Sequence, residues 1–182
     1  MHIKESKTKK FAYSIIALFL LNFIFGGVGS FQENEGMAQT LCWHISTMAL
    51  IAGCVLMGAY VAEKGWSFAS GGFYLLGAAN GIFFASITVG DYSPMTLARG
   101  ILVLIPAFIS IGMSNYFTSW LKWMSVSTAI PFLVLYVRIL TGKSHIHDVF
   151  EVTAFVYLNV MTILWSVNIW KELHKEEEMQ AT

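Results

Sequence analysis

Charge is what this sequence has least of. Asp, Glu, Lys and Arg make up only 12% of its 182 residues, against about 25% in ordinary soluble domains. That is too little to solvate the surface of a water-soluble globule. Hydrophobic residues fill the gap, at 56% of the chain and a mean hydropathy of +0.63, so lipid must be the solvent for most of the surface. The formal net charge is zero, and no basic face is left over for nucleic acid. Proline is scarce as well, and no Ser- or Gly-rich stretch occurs, which argues against long linkers and disorder. The two cysteines, Cys42 and Cys54, lie twelve positions apart in one apolar run. Along a helix that is ~18 Å, far beyond disulfide reach. There is no Cys-x-x-Cys and no zinc-ligand spacing. A Gly-rich phosphate loop, a Gly-x-Ser-x-Gly elbow and a His-Glu-x-x-His pair are also missing.

What is present is a series of six apolar runs, at about 11–31, 40–62, 68–90, 95–115, 118–140 and 148–170. Each is near the ~20 residues that cross a hydrocarbon core. Backbone polar groups cannot go unpaired in lipid, and the runs lack the alternation of barrel strands, so they read as helices. The connections between them are short, which forces antiparallel neighbours. The expected fold is all-α: an up-down bundle of six transmembrane helices forming one integral membrane domain over residues 1–182. Tails 1–10 and 171–182 would project from it. Lys4, Lys7, Lys9 and Lys10 before an apolar run, with Val28-Gly29-Ser30 behind it, follow the grammar of a signal peptide. The run continues to about residue 30, however, and is long enough to span, so it reads as an uncleaved first helix.

Orientation follows from the basic residues. With the N-terminus inside, Lys4, Lys7, Lys9, Lys10, Lys64, Lys122, Lys171 and Lys175 are cytoplasmic. Only Arg99, Arg138 and Lys143 lie on the other side. Trp66, Trp120, Trp123, Trp165 and Trp170 fall at the inner interface and Trp43 at the outer one, as interfacial indoles should. Both termini are then cytoplasmic.

Small residues concentrate in the third run, including Gly77-x-x-x-Gly81. They allow close helix approach in lipid, either within the protomer or between copies of it. The expectation is that both glycines are buried against another helix. Pro106 and Pro131 sit mid-run in the fourth and fifth segments, where each frees a carbonyl and is expected to kink its helix.

The ionisable residues close to the runs gather at the outer end. His44, Asp91, Arg99, Arg138, His147, Asp148 and Glu151 all map near one membrane face. His147 and Glu151, four apart, share a helix face and could bind a metal, share a proton or receive a cation. Ser144, Asp148 and Glu151 equally suit a plain helix N-terminus. Arginines near an interface can snorkel singly. Drawn from several helices at matching depth, though, Arg99, Arg138, His147 and Glu151 would converge in an outward-facing polar vestibule. Deeper in, Asn22, Asn80 and Asn159 are either interhelical hydrogen-bonding groups or a narrow polar path. No carboxylate or base lies at mid-membrane, which speaks against an ion-coupled pump.

Three functional readings remain open on the sequence. The leading one is a small channel or transporter for a small solute or ion, working as a homo-oligomer, with the vestibule as its mouth. In the second, a membrane enzyme or redox protein carries haem between His44 and His147, or a divalent metal on His44, His145, His147 and Glu151. In the third, the chain is a non-catalytic subunit or sensor of a larger membrane complex.

Overall fold

The computed structural model describes residues 2–32, 36–88, 93–143 and 149–181. Among them six helices follow one another: α1 (His2–Ser30), α2 (Met37–Glu63), α3 (Ser67–Thr88), α4 (Pro94–Met113), α5 (Ser119–Leu140) and α6 (Val149–Ala181). All six contain a stretch long and apolar enough to cross a membrane. The chain is an integral, multi-pass membrane protein with an up-down topology. Each helix packs on the next, and α6 closes back onto α1. Among the described residues no other pair of helices brings its backbones close together, so the bundle is a closed ring that only side chains reach across. Six antiparallel passes return the chain to the end where it began. That end is called the termini end below, and the opposite one the loop end.

Local chemistry sets the helix boundaries. Pro94 opens α4, where its missing N–H costs nothing, and the Ser93 hydroxyl accepts from the Thr96 N–H at 3.3 Å. α2 and α5 end on glycines with positive φ, Gly65 at 86° and Gly142 at 68°. Each completes the paired bonds that satisfy a helix C-terminus. Trp66 N–H reaches Val61 O at 3.1 Å and Gly65 N–H reaches Ala62 O at 2.9 Å. At the other end Lys143 N–H reaches Arg138 O at 2.9 Å and Gly142 N–H reaches Ile139 O at 3.0 Å. A side chain at either glycine would meet the Cβ–carbonyl crowding of the left-handed region. α4 and α5 run as unbroken α-helix through Pro106 and Pro131.

Close approach inside the ring rests on glycine, though not quite where the sequence pattern put it. A Cβ on Gly77 would make ordinary contact with α2, 3.5 Å from Cys54 Cβ. A Cβ on Gly81 would meet open space, which corrects the expectation that both glycines sit against a helix. The tightest seam lies elsewhere on α3. A Cβ on Gly72 would stand 2.9 Å from the Ala107 carbonyl of α4. A motif spaced by four identifies the small-residue face of α3, but the ring turns Gly81 away from both neighbours.

The centre of the ring is aromatic. Trp165 of α6 is fully buried, with its ring 4.9 Å from Phe73, 6.3 Å from Phe19 and 6.4 Å from Phe108. Its indole N–H points to Ser125 Oγ on α5 at 3.4 Å. Phe108 stacks on Phe132 at 5.8 Å. Trp165 is therefore a core residue and not an interfacial anchor. Helical phase turns it inward, whereas Trp66, Trp120, Trp123 and Trp170 stay exposed towards the termini end. Lipid tails are as apolar as these rings, so their contribution is close packing and dispersion, with ring geometry adding to it.

Candidate solute cavity

The polar residues that meet inside the ring are amides and hydroxyls. Asn22 on α1 is 2% exposed, and its amide N–H donates to Asn159 Oδ1 on α6 at 2.8 Å. A second, longer bond runs from the same nitrogen to Thr162 Oγ1 at 3.4 Å. From α2, the Ser46 hydroxyl lies 2.9 Å from both the backbone and the side-chain oxygen of Asn22. Three helices are thereby tied at one level. Gly26, one turn further along α1, keeps this level open, because a Cβ there would stand 3.1 Å from Ser46 Oγ and 3.5 Å from Asn159 Nδ2.

Beside this network lies a cavity of about 460 Å³, within the range of small-molecule sites. Its walls come from α1, α2, α3 and α6. Exposed Ser30 and Thr40 mark its mouth at the loop end, and Leu50, Phe83, Phe155 and Leu158 add apolar wall. Among the described residues, three polar groups on the wall have no hydrogen-bond partner. Asn80 is 2% exposed and spends its N–H on the Leu76 carbonyl at 2.8 Å, leaving its carbonyl oxygen unmatched. The Asn159 amide nitrogen and the Thr47 hydroxyl are likewise unmatched. All three residues line the cavity, Asn80 buried and Asn159 and Thr47 half-buried, where a solute or water can pair with them. Glu151, in the first turn of α6 and 5% exposed, is the one ionisable residue among the described lining.

The other residues singled out by the sequence have different positions. Arg138 lies across the Phe150 ring, 4.1 Å from its centroid, and donates to the Lys143 carbonyl at 3.0 Å. It thus reinforces the end of α5. Arg99 is exposed on α4. Neither arginine lines the cavity. His44 meets Phe84 edge-on, with centroids 5.4 Å apart, and its buried Nε2 has no hydrogen-bond partner. Asp91, His145, His147 and Asp148 lie outside the described residues. Among the described residues no three His, Cys, Asp or Glu side chains gather as a metal site would require.

Sequence reasoning missed Ser46 and Thr47, whose only signal was small polar side chains inside an apolar run. It also missed a second polar centre, at the termini end. Glu172 of α6 accepts from Lys64 Nζ at 2.5 Å, from the Tyr116 hydroxyl at 2.7 Å and from the Tyr60 hydroxyl at 3.4 Å. It thereby links the end of α2, the α4–α5 connection and α6. Burial works against the Lys64 charge, but Glu172 and Tyr60 outweigh it and raise the Lys64 pKa above its ordinary value. From the loop end to the termini end, the axis of the ring thus carries a polar cavity, a plug of aromatic rings and an ion-pair lock.

Against known protein families, curated proteins and solved structures, the chain finds no match. The fold here therefore lends no function, and the functional argument stands on the site alone.

Proposed function

We propose that the protein is a carrier. It takes a small solute into the loop-end cavity and releases it at the termini end, with the Lys/Arg bias setting the termini end at the cytoplasm. The observation that carries this reading is a cavity with unmatched polar groups that stops halfway along the ring. An open channel needs a continuous polar lining. Here the aromatic plug around Trp165 occupies the middle of the ring and the Lys64–Glu172 pair ties its far end. A cavity reached from one end, with a separable closure at the other, is the arrangement that alternating access uses.

Side-resolved labelling tests the reading. Cys42 and Cys54 are replaced by Ser, Thr47→Cys is introduced, and the protein is reconstituted in vesicles of known orientation. A membrane-impermeant thiol reagent should modify position 47 from the loop end and not from the termini end. Equal labelling from both sides would mean a continuous pore, and no labelling from either would mean that no accessible cavity exists.

A further inference from the structure

We infer that the solute is a small neutral molecule of the carboxamide type, with an apolar body, an inference that rests on the cavity being a solute site. Among the described residues, the polar groups left over on the wall are neutral and of both kinds. Asn80 of α3, 2% exposed, spends its N–H on the Leu76 carbonyl and keeps an oxygen that can accept. Asn159 of α6 spends its oxygen on Asn22 and keeps an N–H that can donate. The Thr47 hydroxyl of α2 can do either. Both asparagines differ in this from Asn22, whose N–H and oxygen both go to protein partners. A carboxamide brings an N–H for the first asparagine and a carbonyl for the second, and it enters the ring without a charge to desolvate. An ion would need a counter-charge there. The described wall holds no lysine, arginine or histidine, and its one carboxylate, Glu151, already has an interaction partner. Leu50, Phe83 and Phe155 offer apolar surface to the rest of the solute. A sugar would leave hydroxyls unpaired against those side chains.

Four probes share a phenyl ring and differ in one planar group. Benzamide is neutral with donor and acceptor, acetophenone is neutral with an acceptor only, benzamidine is a cation and benzoate an anion. Calorimetry on the purified full-length protein in detergent, against detergent alone, measures their affinities. Benzamide should bind about tenfold or more tighter than either ion, and about fivefold tighter than acetophenone, which has no N–H for Asn80. Asn80→Leu should weaken benzamide by about fivefold and leave acetophenone unchanged, which shows the variant folded and its cavity intact. Tighter binding of benzamidine or benzoate, equal binding of all four, a benzamide affinity untouched by Asn80→Leu, or binding of none would overturn the inference. Where Asn80→Leu loses both neutral probes through misfolding, the wild-type ranking of the four decides alone. A preference for an ion would end the inference and leave the carrier reading standing. Equal labelling of Thr47→Cys from both sides would remove the carrier and leave the benzamide site.

Discussion

At the scale of single residues, the asparagines do two different jobs. Asn22 and Asn159 bond each other across helices, while Asn80 bonds its own helix and lines the cavity. Replacing Asn22 by Leu should therefore cost about 0.6–2 kcal/mol of stability in detergent. A double-mutant cycle with Asn159→Leu should show coupling, because Asn22→Leu also strands the partner amide. Additive effects would mean the bond contributes nothing. Lys64 supplies a pH signature. Its folded pKa is raised by Glu172 and Tyr60, so the stabilisation is complete below the unfolded lysine pKa of about 10.4. It is lost as pH rises through the higher folded value. Unfolding midpoints followed through this alkaline range should fall in the wild type by more than in Lys64→Met. Parallel curves would show that the pair adds no stability.

At the scale of helices, glycine position decides what a substitution does. Gly72→Leu should disrupt folding or assembly, because the new side chain would be driven into the Ala107 carbonyl of α4. Gly81→Leu should be tolerated, because its Cβ meets open space. Thermal unfolding of the two variants in detergent checks the contrast, and a reversed order would place the α3 seam wrongly. The six helices were legible in the sequence because lipid imposes one length and one satisfied backbone on every span. The cavity was legible only in part. Asn22, Asn80, Asn159 and Glu151 stood out as polar residues in apolar runs, but nothing in the runs told that the three amides and Glu151 would share one wall while Arg99 faced away. Helical phase about the ring axis sets that, and packing partners set the phase. Trp165 shows the same limit: its depth near a span end suggested an interface, yet its phase made it the hub of the core. Glu172 was hidden for another reason. It follows Lys171 and precedes an acidic tail, so it read as solvated, while its partners Tyr60, Lys64 and Tyr116 are distant in sequence.

At the scale of the whole molecule, the ring holds its polar groups in two separate places with aromatic rings between them. Such a division suits a protein that exposes one end at a time. The loop-end cavity is open while the termini end is tied by Glu172 to α2 and to the α4–α5 connection. If the protein is the carrier proposed above, opening the termini end requires those bonds to break, and weakening them should shift the population towards the other state. The most direct measurement is the termini-side labelling rate of Thr47→Cys, compared between the cysteine-replaced protein and the same protein carrying Glu172→Gln. If the lock holds the carrier closed, Glu172→Gln should raise termini-side labelling by about tenfold, ~1.4 kcal/mol of population shift, while loop-side labelling falls. Unchanged labelling from the termini side, with the protein still folded, would contradict the account.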